Sequence, residues 1–297
     1  MGASRRGVLL GGVGLLAAGC SSGPSDEEQS SPSTAPATSA LTSATPSAST
    51  SLSQTARALP DVTPWRPGPG ELVPACKLAA VRRVERAGNG RDTALQVIDA
   101  QYGGLLTDTA SVLVVTRSWR RAGDRVVGGG HTYDVRLSRS GTAWRVTEVH
   151  PSRPGAPRSG PTADARRVLT SDRIHLPPAA AADVRSGRIH DSVLAALLTV
   201  ARTHRPTVSV IRSGHPLYVF GTDRLSDHPQ GRAFDTWAVD GHPVVDPRTP
   251  RSLVEEYMHA VAAAGSYNVG GPYLLGSAPQ WFSDDTHHDH VHAGFAT

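Results

Sequence analysis

Hydrophobic and polar positions alternate with a period of two in the middle of the chain. "SVLVVTRSW", residues 111–119, is a β-branched and aromatic run that predicts a strand, and "HTYDVRLSRSGTAWRVTEV" predicts a hairpin turning near Ser140-Gly141. Tyr133, Val135 and Leu137 alternate with Asp134 and Arg136, so one face of that strand is expected to be buried and the other wet. "CKLAAVRRVERAG" predicts a helix packed on the same sheet. Residues 71–150 therefore read as a small β-rich domain, and the Pro/Gly-rich 151–161 as a linker. Beyond it, a helix is predicted from Asp191, as N-cap, through "SVLAALLTVARTH", giving way at Pro206 to the strand "TVSVIRSG". "GRAFDTWAVDGHPVV" reads as two strands around an Asp240-Gly241 turn. Thr249 and Pro250 then open a helix that ends at Gly265. The expected class is α+β, with the β-rich domain followed by an antiparallel-sheet domain with flanking helices over 162–297.

The first sixty residues break this patterning. "SRRGVLLGGVGLLAAGC" has a paired Arg, an apolar run too short to span a bilayer, and small residues before Cys20. Residues 1–19 resemble a bacterial lipoprotein signal with a twin-arginine element, which implies lipidation of Cys20 and anchoring on the outer face of the cytoplasmic membrane. Residues 20–65, rich in Ser, Thr, Pro and Ala, cannot bury enough surface to offset ordering entropy and are expected to form a disordered tether. About forty such residues reach roughly 35 Å. With Cys20 lipidated, Cys76 has no partner in its own chain. The formal charge of the 297-residue chain is +4, and removal of residues 1–19 takes away Arg5 and Arg6 and leaves about +2. That implies no nucleic-acid partner. Almost every cationic residue is Arg; Lys77 is the only Lys.

Candidate chemistry is confined to the last third. In "LSDHPQGRAFD", residues 225–235, a strand starting near Gly231 points Ala233, Asp235 and Trp237 to one face, so Asp235 projects beside a small residue. His228 sits in the loop before it, which Gly231 lets turn back sharply. In "HHDHVHAGF", Val291, Ala293 and Phe295 alternate with His290 and His292, so the two His share the face opposite the core. A catalytic zinc site takes three His or carboxylate ligands and one open position. His228, Asp235 and His292 would supply them, leaving His290 beside the metal to handle a proton. A solvated His-rich tail around His287 and His288 is the plainer alternative. No chemistry is evident in 71–150.

Ser226-x-His228-x-x-Gly231-x-Ala233-x-Asp235 resembles the signature of the zinc D-Ala-D-Ala metallopeptidases of the VanY and VanX kind. His290-x-His292 resembles the H-x-H of the wider lysostaphin, D-Ala-D-Ala metallopeptidase and hedgehog superfamily. The resemblance covers roughly residues 165–297. It implies a zinc-peptidase-like domain in which His228, Asp235 and His292 bind Zn2+, and hydrolysis of amide bonds in peptidoglycan stem peptides or cross-links. Three positions depart from the pattern. Asp289 stands where a Glu general base is usual, and Val291 where a Trp is usual. Arg212 precedes Ser213-Gly214 rather than following it. His287-x-x-His290-x-His292 is closer to the penicillin-insensitive murein endopeptidases, where His residues rather than Glu flank the metal. By strand alternation Asp289 points away from His292, which favours His290 as base, with Asp289 as the alternative. The first domain loosely resembles the cystatin or nuclear-transport-factor type. A non-catalytic wall-binding lipoprotein with a degenerate peptidase fold, or an exported zinc-binding protein, are the competing readings.

Overall fold

In the first half a helix and a sheet meet face to face because each presents an apolar stripe. The computed structural model describes residues 58–297; the expected signal segment 1–19, Cys20 and residues 21–57 of the expected tether lie outside the described residues. Helix α1, Pro74–Gly88, buries Cys76, Lys77, Ala80, Val81 and Val84, a stripe of helical spacing with one cation in it. It covers a sheet of β1 (Thr93–Leu105), β2 (Thr109–Ala122), β3 (Arg125–Gly129), β4 (Thr132–Ser140) and β5 (Ala143–Pro151). Every pair is antiparallel, in the order β1-β2-β4-β5 with β3 on β2. Gly141 makes the predicted turn at φ 61°. Cys76 is a free, buried thiol.

The expected wet face of β4 is not wet. Asp134 is buried, bonded by Ser111 Oγ (2.6 Å) and Arg136 (2.8 Å), because the second half of the chain covers the far side of the sheet. Leu113 and Val115, on that far side of β2, are fully buried too. Residues 63 and 65, expected within the tether, are instead held against the first core. Thr63 exchanges bonds with Gln96, the Trp65 N–H donates to Glu85, and Trp65 packs on the first core.

The second half starts with three short helices, α2 (Ala163–Thr170), α3 (Pro178–Arg185) and α4 (Asp191–Val200). Neither α2 nor α3 has an apolar run long enough to announce it; Thr162 Oγ1 caps α2 by accepting from Ala165 N (3.2 Å). His190, not Asp191, is the cap residue of α4, which puts the Asp191 charge in the first turn, favourably placed toward the helix dipole. There follow β6 (Pro206–Val210), β7 (Ala233–Val239), β8 (His242–Pro243), α5 (Arg251–Ala263), β9 (Asn268–Gly270), β10 (Trp281–Phe282) and β11 (Val291–Gly294). Asp240 and Gly241 both take positive φ, as a two-residue hairpin requires. The sheet order is β10-β9-β11-β7-β6, with β8 on β7. It is mixed rather than antiparallel: β9 and β10 run parallel, since a long loop rather than a hairpin joins them. Phe234 and Phe295 stack in its core at 5.9 Å, over Tyr257, Met258 and Val261 of α5.

The two sheets meet along the free edge of β1, and all described residues belong to one compact unit. A bulge at Ile98 reverses the alternation of β1: Leu95 and Val97 face α1 before it, Ala100 and Tyr102 after it. Gln101 is thereby turned toward the second sheet. Residues 151–161 are held against the second half, with Arg212 donating to the carbonyls of Arg153 and Pro154 and Arg158 N to Arg185 O. Among the described residues, no helix is long and apolar enough to cross a membrane.

Candidate metal centre

The candidate ligands are brought together by strand register. β11 pairs with β7 so that His292 stands directly opposite Asp235, with Val291 opposite Thr236 and Ala293 opposite Phe234. Burying the apolar set of β11 thus sets His292 beside Asp235 on the other face. His228 comes from the loop before β7, whose path is fixed at Gly231: φ is 74°, and a Cβ there would lie 2.2 Å from Arg188 O. Gly231 therefore serves a close backbone approach as well as a turn. Gly294 likewise leaves room for the His292 ring, 3.2 Å from where its own Cβ would be.

His228 Nε2, Asp235 Oδ1 and His292 Nδ1 form a triangle with sides of 3.1, 3.1 and 3.0 Å. A tetrahedral zinc ion with bonds of about 2.0–2.1 Å sets its ligand atoms about 3.3 Å apart. The donor chemistry also fits. His228 Nδ1 donates to Ile211 O (2.9 Å), which leaves Nε2 as a lone pair facing the triangle. Burial pushes His292 down to about 4, so its ring is neutral at pH 7. Burial would raise Asp235, but the His228 and His290 rings outweigh it and hold the carboxyl well below its usual range. Three acceptors then point at one spot, and a metal cation would satisfy all of them.

His215, which the sequence did not mark as a ligand, has a ring nitrogen within 4.8 Å of the ligand atoms of His228 and Asp235. Its ring stacks flat on His228 at 4.1 Å, and its Nδ1 lies 3.0 Å from Pro216 O. His292 Nδ1 lies 3.0–3.1 Å from the same two ligand atoms, so both His215 and His292 are candidates for a third ligand position.

His290 lies beside the triangle, with Nε2 3.7 Å from Asp235 Oδ2. Its Nδ1 meets Asp289 Oδ1 at 2.6 Å. Burial would lower the His290 pKa, but the Asp235 charge and the Asp289 bond together raise it. Asp289 does not project away into solvent. Its Oδ2 accepts from Lys77 Nζ (2.6 Å) and Tyr102 N (3.1 Å). Burial acts to raise Asp289, and the Lys77 charge overrides it and keeps the group ionised. Asp289 is thus the partner of His290, not a second base facing the triangle.

The 71–150 region takes part in the site, contrary to the sequence reading. Gln101 Nε2 donates to Asp235 Oδ2 (2.7 Å), and the free edge of β1 supplies the Tyr102 N–H to Asp289 and the Leu105 N–H to Thr286 Oγ1 (3.0 Å). One signal for this was in the sequence: the single Lys of the chain stands among the apolar residues of α1.

The triangle opens into a cavity of about 820 Å³ between β1 and the loops around it. His215, Phe220, Arg224, Phe282 and His287 are among its walls. His287 is held by Asp284 (2.7 Å) and His288 faces Leu72, so the pair is not a solvated tail. Arg212 is tied to Asp183 (3.4 Å) and the 151–161 segment rather than lining the cavity; Arg224 is the guanidinium that does. Comparison of the chain with protein-family profiles, with curated proteins and with solved structures gave no match.

Proposed function

We propose that this protein is a zinc-dependent amide hydrolase acting on the stem peptides or cross-links of peptidoglycan. The observation that carries the reading is the 3.0–3.1 Å triangle of His228, Asp235 and His292 with His290 beside it at the base of a cavity. The volume suits a short peptide, since ligand pockets run from about 300 to 1,000 Å³. His228, Asp235 and His292 would hold a zinc ion, which would supply Lewis acidity toward a carbonyl oxygen and acidify a water.

The remaining work belongs to the chain's own residues. With its Nδ1 proton directed to Asp289, His290 keeps Nε2 as the accepting atom; it takes the proton of the attacking water there and returns it to the leaving amine. The Asp289 charge stabilises the imidazolium between these two transfers. Phe220 and Phe282 give the cavity apolar walls, and Arg224 offers a cation to a substrate carboxylate.

The peptidoglycan assignment rests on the sequence resemblance and on the signal-like residues 1–19. With Cys20 lipidated, the protein would work from the outer face of the cytoplasmic membrane. The test is digestion of purified muropeptides by the zinc-loaded full chain, with products identified by mass. Loss of a terminal residue indicates a carboxypeptidase and cutting of dimers an endopeptidase. No cleavage of any stem or cross-link leaves the wall-binding lipoprotein as the better account.

A further inference from the structure

Two buried polar side chains of the first sheet and its helix reach across the seam to the candidate site. Gln101 is 1% exposed, and its Nε2 bonds Asp235 Oδ2. Its Oε1 is buried with no partner among the described residues, so the amide is not there to serve its own sheet. Lys77 is 0% exposed and contacts Asp289 and Glu71. Burying an ammonium carries a large desolvation cost before its pairing is counted. That cost falls on the chain's single Lys, on a helix more than two hundred residues from the carboxylate it holds.

We propose that Gln101 and Lys77 are positioning residues of the metal centre, so that the first sheet is a working part of the site. The inference rests on the metallopeptidase reading and assigns a task to each residue. Asp235 has two oxygens and two claimants. Oδ1 belongs to the triangle, while Oδ2 lies 3.7 Å from His290 Nε2, the atom that must stay free to accept a proton. Gln101 occupies Oδ2, which fixes the carboxylate plane and keeps Asp235 from engaging the base. Lys77 and the Tyr102 N–H hold Asp289 Oδ2 in the same way, which leaves Oδ1 for His290 Nδ1. Outer contacts of this kind set ligand orientation in metal sites.

The experiment uses the full chain and three variants: Gln101→Leu, Lys77→Met, and Lys77→Met combined with Asp289→Asn. Zinc affinity is read by competition with a chelating dye, kcat and KM on a cross-linked muropeptide, and the thermal midpoint separately. Gln101→Leu is expected to weaken zinc by about 10–100-fold. Lys77→Met should keep zinc affinity and KM within about threefold while kcat falls by about tenfold or more. Adding Asp289→Asn to Lys77→Met should cost no further kcat and should raise the midpoint, because both substitutions cut one path and the second removes the stranded charge. Wild-type zinc affinity in Gln101→Leu, or a Lys77→Met effect confined to the thermal midpoint, overturns the inference alone. If Lys77→Met does not fold, the Gln101→Leu affinity and the double variant decide. A wild-type chain that holds no zinc overturns the metallopeptidase reading and the inference together.

Discussion

Two clusters of metal-ligand residue types lie among the described residues, and they differ in what already sits between the ligands. His215, His228 and Asp235 have ligand atoms within 4.8 Å of one another, and so do Glu71, His288 and Asp289. In the second cluster the cation is built in: Lys77 Nζ contacts both Glu71 and Asp289, and His288 Nε2 already accepts from Leu72 N (3.1 Å). In the first, where His292 completes the triangle, three acceptors face one another with no Lys or Arg of the described residues paired to Asp235. Residue type alone does not separate the two. The inventory of donors does, and it favours the first as the proposed metal centre and the second as its support.

Charge follows the same division. Three carboxylates, Glu71, Asp289 and the nearby Asp99, feel one ammonium, that of Lys77. Burial drives Glu71 and Asp99 each up to about 7, whereas Asp289, on which the Lys77 charge and the His290 bond together outweigh burial, stays ionised. Lys77 itself, which burial would lower, is raised by Asp289 and Glu71.

The largest effect that tests this contrast is removal of a ligand. His228→Ala or His292→Ala should take zinc content from about one per chain to near zero and hydrolysis to background, as expected of a three-ligand site. Metal analysis of the purified full-length variants checks it, and unchanged zinc in both would break the distinction between the clusters. Next comes the base. His290→Ala should keep zinc and lower kcat by roughly 10²–10⁴. Asp289→Ala should lower kcat less and stability more, since it strands Lys77. A larger kcat loss in Asp289→Ala would transfer the base to Asp289.

A smaller effect appears in the pH dependence of stability. The folded state holds the Glu71 proton up to about 7, against an ordinary value of 4.5. Between those values the folded chain binds more protons than the unfolded one, so rising pH disfavours the fold, and the loss is complete above about 7. The wild-type thermal midpoint should therefore fall more steeply from pH 5 to 8 than that of Glu71→Gln; parallel curves would remove Glu71 from the cluster's titration. The smallest effect is His288→Ala. It loses the bond to Leu72 N, at a cost of about 1 kcal/mol, with zinc and kcat unchanged. Loss of zinc there would move the metal to the support cluster.

Much of the second sheet was legible because strand periodicity fixes faces. Once Val291, Ala293 and Phe295 were read as core, His292 had to face the other way, and the same alternation turned Asp235 from Phe234. The α+β class, helix α1, the turn at Gly141 and the Asp240-Gly241 hairpin followed from equally local signals. What alternation could not show is where one element lies against another. The bulge at Ile98 shifts β1 by one residue and turns Gln101 to the site, a change no local pattern records. Asp134 read as exposed because its cover comes from a distant part of the chain. Asp289 read as pointing away from His292, but only the packing of α1 put Lys77 and the β1 edge against it. Sequence determined which side chains share a face, since backbone geometry sets that within a few residues. The tertiary structure decided which charges meet across the seam, because those pairings depend on the docking of two sheets whose contacting residues are more than a hundred positions apart.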